Sequence, residues 1–275
     1  MRPSRCEAHV IKEAKVLVII LKGGSRKCDS NIDDLFLAFS DPYFKVEARD
    51  ADEWEYDKSD KRSLSEIELH NEKTSMARCL SYASEGPYVK NNEKDVPVFE
   101  WANMPVIIIK DTSVCRHQGM KDFIKGALKS ASNADLFFLC KWGDSCNKFT
   151  TVKGSQKING GVCLKWSSKP TSTQAIMYTP KSRDLLRVCY ETATLSVSDL
   201  LNAKISKKEL SAVVFVPNLV NFDIDLSTSN KDYQKLSECS QESDTSNSTD
   251  QTVVIALIIT FFLVFIMAGL HLINV

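Results

Sequence analysis

The hydrophobic pattern of the chain is built from unbroken apolar runs more than from alternation. Val106-Ile107-Ile108-Ile109 puts four β-branched residues in a row, entered through Pro105 and left through Lys110-Asp111-Thr112-Ser113. A run of this kind reads as a strand buried on both faces. Val16 to Leu21, Leu136 to Cys140 and Ala212 to Val216 have the same character. Between the central run and the one at 136–140, apolar side chains recur at 120, 123, 124, 127, 128 and 131, which is one stripe of a helix over 119–132. Strand, polar turn, helix and strand make a parallel crossover unit, and the pattern predicts that this unit is the centre of the fold.

The flanking pattern agrees with a sheet covered by helices. Asn31 to Phe39 predicts a short helix with Ile32, Leu35, Phe36 and Phe39 inward, stopped by Asp41-Pro42. Phe44 to Ala48 alternates as a strand, and a longer helix is expected over 65–84 with Ile67, Met76, Ala77, Leu80 and Ala83 on its apolar side. Short strands follow at 162–166 and 173–178. Thr179-Pro180 then opens a helix by cap and first-turn proline, carrying Leu185, Leu186 and Val188. The expected class is α/β, with a mostly parallel, Rossmann-like sheet.

The end of the chain changes character. Ser227 to Asp250 is rich in Ser, Thr, Asp, Glu and Asn, the composition of a stem. Val253 to Leu270 is then apolar throughout except for Thr260, long enough to span a bilayer. The organisation read from these shifts is a polar extension at 1–15, an α/β domain at 16–226, a stem at 227–251 and a transmembrane helix at 252–273. Insertion by this tail, with no signal peptide ahead of it, predicts a single-pass protein whose body stays in the cytosol.

Charge and cysteine content narrow the function classes. Lys and Arg number 35, as do Asp and Glu, and the basic residues are scattered, so nothing points to nucleic acid as a partner. Nine cysteines lie at irregular spacing with no Cys-x-x-Cys pair, and four of them (Cys79, Cys140, Cys163 and Cys189) fall in apolar-periodic segments, where reduced thiols behave as small hydrophobes. His9, His70, His117 and His271 are too dispersed for a triad or a metal cage, and no Gly-x-Ser-x-Gly elbow is present.

The candidate chemistry collects at strand ends. Asp111 follows the central strand at its carboxyl end, where open α/β sheets build their ligand crevice; the plain alternative is a turn residue. Gly23-Gly24 and Arg26 follow the first strand, and the arginine's planar fork suits a phosphate as well as it suits solvent. Trp142 and Asp144 lie in a loop after the strand at 136–140, where an aromatic can stack on a base or sugar or simply pack. Thr173 and Gln174 precede an apolar strand and are candidates for donor or acceptor contacts. Asp199 stands before Leu200-Leu201, as an acceptor-side carboxylate or as a helix cap.

The order of these segments, over roughly 16–223, resembles glycosyltransferase family 25, the group that includes lipopolysaccharide sugar transferases and collagen galactosyltransferases. The likeness is greatest to divergent members from large DNA viruses. It is carried by Val16 to Arg26, Ala48-Arg49-Asp50-Ala51, the strand ending at Lys110-Asp111, Ala134 to Leu139, Thr173 to Tyr178 with Ser182-Arg183-Asp184-Leu185-Leu186, and Val197-Ser198-Asp199 with Pro217 beyond. The resemblance implies a GT-A type domain that moves a sugar from a nucleotide-sugar donor to a glycan, protein or lipid hydroxyl. It also implies a divalent cation, usually manganese, held on aspartate to offset the charge of the leaving diphosphate.

In that scheme Asp111 holds the metal or diphosphate, and Arg26, Lys110, Ser113, Trp142, Asp144, Thr173 and Gln174 line the donor site. Asp199 acts on the acceptor side. The chain departs from the family where an acidic pair is expected, because Lys110-Asp111-Thr112-Ser113 carries an ammonium in place of one carboxylate. Either Lys110 points elsewhere, or it replaces part of the metal's charge, or catalysis has decayed. The expected function is therefore a membrane-anchored glycosyltransferase-like protein, and the alternative is the same fold emptied of catalysis and kept as a membrane-bound structural or virion component.

Overall fold

The computed structural model describes residues 14–23, 29–51, 64–85, 88–89, 96–97, 99–141, 150–152 and 161–222. The stem, the apolar segment at 253–270, and the predicted contacts Arg26, Trp142 and Asp144 lie outside these residues. Among the described residues no helix is long and apolar enough to cross a membrane.

The apolar runs become the strands of one sheet. In chain order they are β1 (Val16–Lys22), β2 (Phe44–Asp50), β5 (Val106–Lys110), β7 (Leu136–Phe138), β8 (Thr150–Thr151), β9 (Cys163–Ser167), β10 (Ala175–Tyr178) and β11 (Ala212–Val216). Two small pairs stand apart from it. One is β3 (Tyr88–Val89) with β4 (Val96–Pro97), and the other is β6 (Ser113–Cys115) with β12 (Val220–Phe222). The main sheet has the order β2-β1-β5-β10-β7-β11-β9-β8. All of its strands except β9 and β10 run in the same direction.

Both faces of the sheet are covered, which is why its strands read as continuous apolar runs. Helices α1 (Asp29–Ala38) and α3 (Lys121–Ser130) cover one face, where Val18, Ile20, Ile107, Phe137 and Phe215 meet Phe39, Phe123 and Ile124. Helices α2 (Leu64–Glu85), α4 (Pro180–Thr192) and α5 (Val197–Ser206) cover the other, where Leu17, Ile19, Ile108, Phe138 and Val214 meet Met76, Leu80, Leu186 and Leu201. Successive residues of a strand supply opposite layers, as the two-residue strand period requires.

The central crossover takes a form that periodicity does not reveal. β5 and β7 are parallel, with α3 between them in sequence, but they are not neighbours. β10 lies between and is antiparallel to both, with Ile176 opposite Ile108 on one side and Phe138 on the other. A fully apolar four-residue strand specifies two covered faces and two paired edges; it does not specify which strands supply those edges.

The helices follow their predicted stripes with two exceptions. Phe36, expected to point inward, is 38% exposed. On α4, Leu185 and Val188 face outward, while Ser182, Arg183, Leu186 and Tyr190 form the buried face. Arg183 fits there because its guanidinium donates to the carbonyls of Ala83, Trp101, Met104 and Ala102, the last at 2.6 Å. It ties α4 to the end of α2 and to the short 3₁₀ turn Phe99–Asn103. Thr179 caps α4 with Pro180 in the first turn, as its sequence predicts.

Candidate functional site

The carboxyl ends of β1 and β5 and the middle of α2 meet around a cleft of ≈ 230 Å³. The strands supply Leu21, Gly23, Lys110, Asp111 and Thr112, and the helix supplies Asn71, Glu72 and Ser75. This is the rim at which open parallel sheets bind ligands.

Asp111 is 3% exposed, and its backbone is fixed by an N–H bond to the Leu21 carbonyl at 3.0 Å. Its Oδ2 accepts the Gly23 N–H at 2.7 Å, while Oδ1 has no donor among the described residues. A Cβ at position 23 would stand 3.6 Å from Oδ1, in ordinary contact, so it is the Gly23 N–H and not the lack of a side chain that engages the carboxylate.

Lys110 points toward α2, on the face of the strand that carries Ile108, and is held in a closed triangle. Its Nζ donates to Glu72 Oε1 at 2.6 Å and to Thr173 Oγ1 at 3.0 Å, and Thr173 Oγ1 donates to the same carboxylate oxygen at 2.7 Å. Burial alone would raise the Glu72 carboxyl. The Lys110 charge and the bonds from Lys110 and Thr173 outweigh burial and hold it below its ordinary value.

On the neighbouring strand end, the Gln174 amide donates to Thr112 Oγ1 at 2.6 Å and to Ser113 Oγ at 2.9 Å. Ser113 opens β6, whose partner β12 is the last described strand. The final described residue, Phe222, thus sits opposite Ser113, two positions from Asp111.

The fold therefore brings together five residues singled out in the sequence: Lys110, Asp111, Ser113, Thr173 and Gln174. Asp199 is not with them. It lies in the first turn of α5, where its N–H donates to Ser196 Oγ at 3.0 Å and its carboxylate accepts that hydroxyl at 2.7 Å. The N-cap of this helix is Ser196 and not Asp199, which stands within the first turn, exposed and outside the cleft lining. Glu72 and Asn71 are the residues that sequence reasoning missed. The available signal was position: Glu72 extends the buried α2 stripe of Met76, Leu80 and Ala83 by one turn, where a carboxylate needs a partner.

Among the described residues the cleft offers a divalent cation few free ligands. Manganese or magnesium needs several oxygen ligands, usually with one or two unencumbered carboxylates among them. Asp111 offers a single open oxygen, Glu72 is matched by Lys110, and Ser113 and Thr112 are held by Gln174. Among the described residues no group of three or more His, Cys, Asp or Glu could hold a metal ion. A second, larger groove of ≈ 630 Å³ lies at the other end of the sheet and contains none of the predicted site residues. Its size does not make it the counterpart of the carboxyl-rim crevice, which in this fold is set by strand polarity.

No family model matches the chain, and no curated protein matches it.

Proposed function

We propose that this protein is a catalytically degenerate GT-A-like domain carried on a C-terminal membrane anchor, serving as a membrane-bound structural component of the kind found in virions. The observation that carries the reading is the closed triangle of Lys110, Glu72 and Thr173. Transfer from a nucleotide sugar develops negative charge on the leaving diphosphate, and a working site must offset it with a cation. Among the described residues of the cleft lining, the one ammonium is paired with Glu72, and the remaining charged group is the Asp111 carboxylate, which repels a diphosphate.

One observation favours the other reading, sugar transfer to a glycan, protein or lipid hydroxyl. Asp111 is buried at the carboxyl rim with Oδ1 open. That is a suitable placement for a group that orients a hydroxyl or shares a cation with a diphosphate.

The test uses the full chain with a panel of nucleotide sugars, with and without manganese, read as both binding and release of nucleoside diphosphate. The expected outcome is no turnover under either condition, and no change on Asp111→Asn. Manganese-dependent release that disappears in D111N would overturn the proposal and establish the transferase reading.

A further inference from the structure

The parallel ladder between β1 and β5 ends in a substitution of side chain for backbone. Leu21 stands opposite Lys110, and the Asp111 N–H goes to the Leu21 carbonyl. The next rung of such a ladder would carry the Gly23 N–H to the Asp111 carbonyl. That N–H goes instead to Asp111 Oδ2, at 2.7 Å. The carboxylate therefore takes the place of a ladder acceptor and lies over the ends of the two strands, at the cleft they share with α2. Asp111 is more than nine-tenths buried, yet its Oδ1 takes no bond from a described residue and is not closed off from solvent.

The charges around it leave this oxygen uncompensated. Among the described residues of the lining, Lys110, Glu72 and Asp111 are charged. Lys110 and Glu72 satisfy each other at 2.6 Å, so Asp111 is the unmatched member. Leu21 and Ala51, which pack with the α2 layer, supply an apolar wall beside it.

We propose that this cleft takes a primary alkylammonium group, the chemistry of a lysine side-chain end or a small free amine. The proposal rests on the reading above in taking Asp111 as free of a catalytic metal. At ≈ 230 Å³ the cleft is smaller than the about 300–1,000 Å³ of sites that enclose a drug-sized ligand, so it admits the end of a molecule. A phosphate meets an unmatched carboxylate, and a divalent cation needs more free oxygens than one. A guanidinium pairs best with two free carboxylate oxygens, and Oδ2 is engaged by Gly23. An ammonium is a compact charge that a single oxygen holds, on a stem that lies against apolar surface. Asn71 and Thr112, in the same lining, offer further acceptors for its remaining N–H groups.

The test is a titration of the full chain in detergent, isotope-labelled at glycine and followed by NMR, with the Gly23 signal identified by its loss in Gly23→Ala. The probes are n-butylamine, Nα-acetyl-lysine methylamide and, as the uncharged control of equal length, n-butanol. Both amines are expected to shift the Gly23 signal saturably at neutral pH, and n-butanol is expected to leave it in place. Tighter binding of the lysine derivative assigns the occupant to a protein side chain, and tighter binding of n-butylamine to a free amine. Asp111→Asn keeps an oxygen for the Gly23 N–H and weakens amine binding by about ten- to a hundredfold, the worth of a charge-assisted hydrogen bond. Should that variant not fold, the contrast between n-butylamine and n-butanol in the wild type decides alone. The inference is overturned by absence of a saturable shift with either amine, by an equal response to n-butanol, by unaltered binding in folded D111N, or by tighter binding of inorganic phosphate or propylguanidine. No nucleotide sugar is present, so failure to bind amines leaves the structural-component reading standing, whereas manganese-dependent release of nucleoside diphosphate overturns that reading itself.

Discussion

Removing the Arg183 guanidinium tests whether a buried cation can be one of the main fastenings between layers. Arg183→Met keeps most of the side chain's volume and deletes every donor. The carbonyl of Trp101 retains the Met104 N–H. The carbonyls of Ala83, Ala102 and Met104 lose the guanidinium bonds at 3.2, 2.6 and 3.3 Å. A buried carbonyl left without its donor costs about 1–3 kcal/mol; the Ala83 bond is buried and those to Ala102 and Met104 are half-buried, so they contribute toward the low end of that range. Partial relaxation of the 3₁₀ turn lowers the sum, so about 3–5 kcal/mol is expected. The ion pair with Asp184 adds nothing to this figure, because that carboxylate is largely in water. For a domain of this size the loss corresponds to a fall of about 10 °C in thermal midpoint. Urea unfolding followed by circular dichroism measures it directly, and Arg183→Lys, which keeps an ammonium with three donors, should recover about half. A loss below about 1 kcal/mol in R183M would refute the reasoning.

Further expectations concern the triangle and the helix caps. Because the folded Glu72 carboxyl is depressed, its contribution to stability is whole above its ordinary value of about 4.3 and is lost as pH falls through the lower folded value. Acid titration of unfolding free energy should therefore be shallower in Glu72→Gln than in the wild type below about pH 4.5, and equal slopes would contradict the assignment. Ser196→Ala and Thr179→Ala each remove a cap whose hydroxyl accepts a first-turn N–H. Each should cost about 1 kcal/mol in the same unfolding assay.

The layered architecture was legible because burial on both faces writes itself into composition. Only a strand covered twice reads Val-Ile-Ile-Ile, and the α3 stripe from Met120 to Ala131 could belong only to a helix lying on such a strand. Thr179-Pro180 announced its helix by chemistry that acts within a few residues. The position of β10 was hidden because edge pairing involves backbone groups that every residue carries, so Ala175–Tyr178 states its burial but not its neighbours. In the site, Lys110, Asp111, Thr173 and Gln174 announced themselves by standing at strand ends. Glu72 did not, because its role depends on how α2 lies against β5, and helix periodicity alone does not fix that. By sequence Asp199 is an acceptor-side carboxylate or the helix cap; the cap is Ser196, three residues earlier, and Asp199 answers it from the first turn.

The antiparallel insertion of β10 also governs the order in which the molecule can be completed. On a growing chain, β1, β2 and β5 emerge as one small parallel block, and β7 emerges as the nucleus of another that awaits β11. Neither block can bond to the other until Ala175–Tyr178 arrives and runs between them in the reverse sense. Until then the inner edges of β5 and β7 are open, apolar and able to recruit strands from other chains. The four residues of β10 are thus the piece that joins the two halves of the sheet.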